Sequence, residues 1–372
     1  MAIRPVTSAT ASLRLTVGDP MPRIGLPLAA GGLFDSWDQV HAGRIQVYWL
    51  DATSARAAAQ ALACPLAACE ADLRIVAPMP PQPSNTDLAW LVDKGSDLAR
   101  AVGAHGPVAA IVEPGGTLAA VVANPAPEAV AEIVLDLHGS TQPSAVPMQA
   151  PVLLIDRAID RDLCGALIEH WRKGDKLADG VASTAGASLV DADTKRRHDV
   201  PVDDKQLFGA LRAALVSRVM PAILRAFQTR IVQIELPRVG CYDSESGGWF
   251  RRHRDNTTPF TAHRQFALSL NLNPAGEYEG GEVRFPEFGR QLYKPMECGA
   301  LVFSCSLLHE VQPMRRGRRF GLFTFLHDES RDAQYRRMLA EQAKRGMTGI
   351  RMRLAALVLP LSQCWELAAP IV

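Results

Sequence analysis

The sequence shows almost no excess of either charge: 40 Lys and Arg stand against 39 Asp and Glu, a formal net charge of +1. Proteins that bind polyanions carry a basic surplus, so nucleic acid is not an expected partner. The balance is uneven, with 8 basic against 13 acidic residues in 1–145 and 32 against 26 in the remainder. Long apolar runs are also missing. The opening MAIRPVTSATASLRLTVGDP lacks the apolar core of about 7–15 residues that a signal peptide carries. The most apolar stretch, LAALVLPLSQCWELAAPIV at 354–372, is interrupted by Pro360, Ser362, Gln363 and Glu366. It falls short of the roughly 20 apolar residues that span a bilayer and reads as a packing or interface segment, so no membrane is expected. Seven cysteines, an odd number without a repeating framework, argue against a disulfide scaffold and suit a reducing cytoplasm. No internal repeat or low-complexity tract is present.

What is present fits a globular chain, with 48% hydrophobic and 21% charged residues. At 372 residues it exceeds the usual size of one core, so two domains are expected. GSTQPSAVPMQAP at 139–151 is polar and rich in Pro and Ser and reads as a linker. The expected organisation is a domain at 1–138, a linker at 139–150, a domain at 151–329 and a C-terminal helical extension at 330–372. In the first domain, apolar runs at 45–50 and 108–112 alternate with helical patterns at 55–68 and 127–137, the mark of an α/β layer fold. After the linker a mainly helical stretch is expected to about Phe227. Strands are then expected at 231–239, 249–255, 266–272, 281–285, 300–304 and 319–326, a β-sandwich or barrel with a helical buttress.

Gly18-Asp19-Pro20-Met21-Pro22, the Leu26-Pro27 pair and the strand ending at Leu50 resemble the start of the peroxiredoxin branch of the thioredoxin fold. The segment WLVDKGSDLARAVGAHGPVAAIVEPGGTLAAVV is similar to that family's helix, strand and turn order, and the resemblance spans most of 13–137. A peroxidatic thiol is a low-pKa cysteine at a helix N-terminus, placed in the family three residues after a threonine. Counting from Thr53 reaches Arg56. Cys64 and Cys69 lie further along and form no Cys-x-x-Cys pair; small buried helix residues are their plain reading. The expectation is a thioredoxin-like domain without peroxidase chemistry, serving dimerisation or partner docking.

In the second half, GGWFRRHRDNTTPF at 247–260 sets His253 and Asp255 one residue apart. Acidic residues are common enough that nine histidines give about one such pair by chance. A kinase catalytic loop needs an Asn five residues beyond the Asp; Phe260 stands there, and no Gly-rich loop precedes it. A metal site makes better sense. Residues i and i+2 of a strand share a face, so His253 and Asp255 can reach one ion. The 2-His-1-carboxylate triad of non-haem Fe(II) oxygenases needs a third ligand. His309, 54 residues after Asp255 and just beyond the apolar GALVFSCSLL, is the candidate; Arg319 follows ten residues later.

Tyr242, the 247–255 segment, the 266–273 strand, Glu279-Gly280-Gly281-Glu282 through Phe285, 295–303 and 309–319 come in a telling order. They resemble the prolyl 4-hydroxylase-like branch of the 2-oxoglutarate- and Fe(II)-dependent dioxygenases. The resemblance covers about 235–327, with a weaker lead-in at APVLLIDRAIDRDLCGALIEHW. It implies a double-stranded β-helix (jelly roll), Fe(II), 2-oxoglutarate and O2, and by family habit ascorbate. It implies His253, Asp255 and His309 as metal ligands and catalytic centre. Arg319 would then bind the distal carboxylate of 2-oxoglutarate, which a guanidinium matches bidentately; Arg318 is the competitor, expected on the solvent face. Tyr242 matches a position near the 2-oxoglutarate, or is structural. Along 266–273, Phe266, Leu268, Leu270 and Leu272 should face the helices, with Ala267, Ser269 and Asn271 opposite. Ser269 and Asn271 either bind the co-substrate or merely line the barrel, and Asn271 stands where some relatives carry Tyr. Trp249 and Phe250 read as core ahead of substrate platform. Retention of Asp255 implies oxygen insertion, because halogenating relatives lack that carboxylate. The expected reaction couples decarboxylation of 2-oxoglutarate to succinate and CO2 with hydroxylation of an aliphatic C–H bond.

These motifs do not name the substrate. Arg251, Arg252, Arg254 and Arg264, with RRGRR at 315–319, indicate either an anionic substrate or acidic protein segment, or a solvated charge cluster. A peptide or protein side chain stands slightly ahead of a small molecule. The rival classes are a thiol-redox protein acting through Cys64 or Cys69 and a non-catalytic interaction protein. A homodimer through the first domain or the C-terminal extension is a further expectation.

Overall fold

The computed structural model describes residues 14–38, 40–79, 88–139, 148–178, 181–182, 188–189 and 195–344. The chain divides between Ala145 and Val146 into two compact units. Linker residues 140–147, the apolar stretch at 354–372 and the C-terminal extension beyond 344 lie outside the described residues.

In the first unit the central strand β1 (Gln46–Trp49) is buried throughout, as a strand covered on both faces must be. It leads through α1 (Ala55–Ala68) to β2 (Asp72–Ala77), which runs parallel to it, followed by β3 (Trp90–Val92) and α2 (Asp97–Ala101). Then come β4 (Val108–Val112), β5 (Leu118–Ala123) and α3 (Pro127–Gly139). The sheet order is β3-β2-β1-β4-β5, with β4 antiparallel to β1. Ala58, Leu62 and Leu66 of α1 and Val130 and Val134 of α3 cover one face, packing on Val47, Trp49, Ala109 and Ile111. Leu98 and Val102 pack on the other face against Tyr48 and Ala110. Gly139 closes α3 and does not open the linker.

Besides a two-stranded pair at 181–182 and 188–189, the second unit carries two sheets. The large one has eight strands. In it β6 (Val152–Ile155) pairs with Ala300–Ser304 and leads into α4 (Arg161–Lys173). The stretch expected to be mainly helical is interrupted here. Past Gly174 the chain forms short extended pieces, among them β7 (Lys195–Arg196) and β8 (His198–Pro201). These residues lack the 3.6-residue apolar repeat that would hold a helix on the core. Helix returns as α5 (Lys205–Ala214), a π-helical turn at Leu215–Val219 and α6 (Met220–Phe227). By length and composition 205–227 could cross a membrane, yet Leu211, Leu215, Val219, Met220 and Ile223 are buried in this unit's core. The strand expected at 231–239 splits, because Pro237 cannot donate to a ladder: a short piece at Gln233–Ile234 precedes β9 (Arg238–Asp243).

The remaining strands are β10 (Trp249–His253), β11 (Phe266–Asn271), β12 (Val283–Arg284), β13 (Leu292–Tyr293), β14 (Ala300–Ser304), β15 (His309–Val311) and β16 (Arg318–His327), closed by α7 (Glu329–Lys344). The large sheet runs β6-β14-β11-β16-β9-β8, with Leu177–Ala178 beyond β8 and Gln233–Ile234 beside β16, and the small one β7-β10-β15-β12-β13. From β9 onward the chain crosses between the two sheets at every step except from β12 to β13, the winding of a jelly roll. On β11, Phe266, Leu268 and Leu270, followed by Leu272, join the helical core, whereas Ala267 packs with Phe303 and Phe285 on the other side. Leu270 is wholly buried, so Leu270→Ala should cost about 2–5 kcal/mol of this unit's stability. Urea denaturation will read it; a loss under about 1 kcal/mol would mean the site collapses freely.

Candidate active site

β10 and β15 are antiparallel neighbours, and His253 stands directly opposite His309. The register shifts between Phe250 and His253, a bulge that re-aims the strand end. Opposed residues share a face, and the two imidazole centroids lie 4.2 Å apart. Asp255 is not on the strand as expected. β10 stops at His253, and Asp255 sits in the following turn. Its backbone N–H donates to the Cys305 carbonyl at 3.0 Å, which folds the residue back toward the pair. Its carboxylate oxygens lie 3.4 Å from His253 Nε2 and 3.5 Å from His309 Nε2. All three donors fall within 4.8 Å of one another.

Each imidazole is oriented through its other nitrogen. His253 Nδ1 lies 2.7 Å from the Arg251 carbonyl and His309 Nδ1 lies 3.0 Å from the Leu307 carbonyl. A carbonyl only accepts, so both Nδ1 atoms carry the proton and both Nε2 lone pairs are left for a ligand. Burial lowers the His309 pKa against the pull of Asp255 and favours the neutral ring. Burial also works to raise the Asp255 pKa, but His309 and His253 together outweigh it and hold the carboxyl at about 2. The donor set is therefore one carboxylate and two imidazoles whose Nε2 atoms face it, which suits a divalent transition ion. Phe250 stacks on His253 at 3.7 Å, and Phe303 meets His309 edge-on at 4.7 Å, so the rings have apolar walls.

Arg319 is 2% exposed. Its Nε donates to Asn271 Oδ1 at 3.2 Å, Nη1 to the Gly281 carbonyl at 2.6 Å and Nη2 to Ser269 Oγ at 3.1 Å. Gly281 has φ +72°, and a Cβ there would come within 3.0 Å of Arg319 Cδ, so a larger residue would crowd the Arg319 stem. Ser269 and Asn271 thus bond Arg319 itself. The Asn271 amide is engaged on every side, donating to Tyr278 Oη at 2.8 Å and the Pro295 carbonyl at 3.2 Å. Tyr242 pairs with Arg319 across β9 and β16, and its hydroxyl accepts from Arg197 at 3.2 Å. Burial raises the Tyr242 pKa, so the phenol keeps its proton. Arg318, on the opposite side of β16, is exposed and pairs with Asp243 at 2.7 Å.

The arginine cluster is largely neutralised. Arg252 pairs with Glu310 and Arg254 with Glu287, each at 2.7 Å. Arg315 pairs with Glu282 at 3.3 Å and Arg316 with Glu279 at 3.0 Å. Arg264 does not face an approach to the site. It is part-buried, bonded twice to Glu235 at 2.8 and 2.9 Å and laid over the Phe325 ring. Sequence reasoning missed Tyr278, whose hydroxyl bonds Asn271, and the Arg197–Asp199 pair beside Tyr242, which has two bonds of 2.6 Å. No local signal marked them, because the site residues they support lie far away, Tyr242 45 residues from Arg197 and Arg319 48 residues from Asn271. In the first unit Arg56 is on the exposed side of α1, Cys64 is exposed and Cys69 is buried.

Residues 237–327 match the 2OG-Fe(II) oxygenase superfamily. A PKHD-type hydroxylase of Delftia acidovorans is 29% identical over 176 residues, 45% of this chain and 73% of that protein. Another, from Synechococcus sp., is 31% identical over 107 residues, 27% of this chain and 46% of the relative, so that match spans under half its length. Among solved structures, a Pseudomonas putida prolyl-4-hydroxylase aligns at 18% identity and TM-score 0.38, over 49% of this chain and 94% of that one. A prolyl hydroxylase from Trichoplax adhaerens, in complex with a hypoxia inducible factor peptide, aligns at 17% and 0.41, over 50% and 87%. The sequence matches make the second unit a 2OG-Fe(II) oxygenase domain. Within that superfamily the domain is similar to the PKHD-type hydroxylases.

The Glu235 ion pair sets a pH dependence. Burial acts to raise the Glu235 pKa, but Arg264 and His263 overcome it and depress it well below the ordinary 4.5. A depressed carboxyl stabilises the fold at pH above its unfolded value and loses that contribution as pH falls through the folded one. Glu235→Gln should therefore lower stability at pH 7 and flatten the acid-side loss below about 4.5. Urea midpoints across pH check this; parallel curves for the two proteins would refute it.

Proposed function

We propose that the protein is a 2-oxoglutarate-dependent hydroxylase that holds Fe(II) through His253, Asp255 and His309 and hydroxylates an aliphatic C–H bond. One observation carries this reading: two free Nε2 lone pairs and one ionised carboxylate converge within 4.8 Å. A ferrous ion bound there would supply O2 activation, coupling oxidative decarboxylation of 2-oxoglutarate to substrate hydroxylation. The chain's own share is orientation and exclusion of side reactions. Backbone carbonyls at Arg251 and Leu307 set the imidazole planes, and the Cys305 carbonyl sets the carboxylate. Arg319 anchors the distal carboxylate of 2-oxoglutarate, aimed by Ser269, Asn271 and the Gly281 carbonyl. The protonated Tyr242 hydroxyl donates to the same ligand, while Phe250 and Phe303 keep water from the two rings.

The paired arginines support a polar but nearly neutral approach, which favours a peptide or protein side chain over a strongly anionic small molecule. For the first unit we infer a thioredoxin-like scaffold without peroxidase chemistry. The strand order, with β4 antiparallel to a central β1 parallel to β2, supports this, as does Arg56 where a thiol is needed. Dimerisation or partner docking is its proposed role. A cytoplasmic setting and ascorbate support complete the reading.

Succinate release from 2-oxoglutarate under Fe(II) and O2 tests the class; no turnover, even uncoupled, would favour a non-catalytic interaction protein. Wild type loaded anaerobically should retain iron after desalting, and Asp255→Ala should retain none; equal iron in both contradicts the ligand set. Arg319→Ala should raise the half-saturating 2-oxoglutarate concentration by roughly 10–150-fold, the worth of a charge-assisted hydrogen bond. Arg318→Ala should change it by less than about twofold, as for an exposed pair. Equal effects of the two substitutions would remove Arg319 from its role.

A further inference from the structure

Two cysteines that the metal site does not use meet in the core of the second unit. Cys164 closes the first turn of α4 and Cys298 sits in the turn before β14, 134 residues apart. Their sulfur atoms lie 3.0 Å apart, with Cys164 donating to Cys298. They are 1% and 6% exposed and lie within one apolar cluster. Packing alone explains a small buried residue at either position. It does not explain sulfur set against sulfur. Nor does it explain a cysteine at φ +64° in the Cys298 turn, a left-handed conformation that glycine or asparagine adopts at lower cost.

The backbones are fastened on both sides of this contact. The Ile159 N–H donates to the Cys298 carbonyl at 3.2 Å, and Arg161 pairs with Glu297 at 2.8 Å. The two backbones that carry the sulfurs are thus held together by the docking of α4. The same turn reaches the co-substrate machinery. The Cys298 N–H donates to the Asn271 carbonyl, and the Asn271 N–H to the Gly299 carbonyl, each at 2.9 Å. Asn271 is the residue whose side chain holds Arg319 Nε.

We propose that Cys164 and Cys298 form a modification site that closes to a disulfide when the protein meets hydrogen peroxide, tying α4 to the turn that is hydrogen-bonded to Asn271. Because the Cys164 thiol donates to it, Cys298 has its pKa lowered while that of Cys164 is raised; Cys298 is the sulfur that reacts first. Its thiolate attacks one peroxide oxygen, the O–O bond breaks, hydroxide leaves and Cys298 becomes a sulfenic acid. Cys164 then attacks that sulfur, its proton and the sulfenic hydroxyl depart as water, and the S–S bond forms. Two thiols and one peroxide yield one disulfide and two waters. In a reducing compartment such a bond is transient, as redox-sensing disulfides are.

The test uses the full chain, treated with a few equivalents of hydrogen peroxide, alkylated without reduction, digested and mapped by mass spectrometry. The expected product is one peptide pair joined through Cys164 and Cys298, released by dithiothreitol. The melting transition of the second unit should rise by several degrees when this loop is closed and fall back on reduction. Cys298→Ser should lose both the joined pair and the shift; Cys164→Ala serves if that protein does not fold. Recovery of Cys164 and Cys298 as separately alkylated thiols, at peroxide doses that oxidise the exposed Cys64, overturns the proposal. So does Cys298 sulfinic acid without a joined pair.

Discussion

One extra residue on β10 underlies the whole site. Phe250 opposes Val311, but three residues later His253 opposes His309, where an unshifted ladder would have set Arg252. A one-residue slip turns every side chain to the other face. Without the bulge, a charged arginine would face His309 and both imidazoles would not share a side. With it, the imidazoles stand face to face, and Asp255 needs only one backbone bond, to Cys305, to complete the set. The ligands are thus placed by main-chain geometry on two neighbouring strands. Two charged imidazolium rings so close would repel one another. Burial of His309 keeps that ring neutral.

The second constraint is the burial of a guanidinium. A buried cation without partners is unfavourable by several kcal/mol, and Arg319 meets this with Asn271, Ser269 and the Gly281 carbonyl. All three partners are neutral. The cation therefore remains electrically uncompensated by them, which is what an anionic co-substrate requires of it. Several other arginines of this unit are paired with carboxylates at the surface: Arg252 with Glu310, Arg254 with Glu287, Arg318 with Asp243. The difference between Arg319 and its neighbour Arg318 is strand alternation alone.

Much of the fold was legible in the chain. The helix at 55–68 and the strands at 108–112 and 300–304 fall where the apolar periodicity places them. The 266–271 strand divides its faces as alternation demands. The misreadings have local causes. Pro237 splits one strand, and the residues after Gly174 carry no helical repeat, so they were drawn into pairing with β9 and β10 instead. The short-range pattern of His253 and Asp255 led to two ligands on one strand face. They do converge, but through a turn and a distant carbonyl.

Residue identity by itself determined which chemistry is available: two imidazoles, a carboxylate and an arginine in a recurring order, with apolar strands between them. Periods of two and 3.6 are properties of the backbone, so faces and elements follow from the sequence without knowledge of partners. Only the tertiary structure decided which of these groups touch. The register shift on β10, the engagement of Ser269 and Asn271 with Arg319, the withdrawal of Arg264 into a pair with Glu235, and the meeting of Cys164 with Cys298 all join residues remote in the chain. Such contacts depend on how strands are aligned and closed, and no local pattern of side chains encodes that alignment.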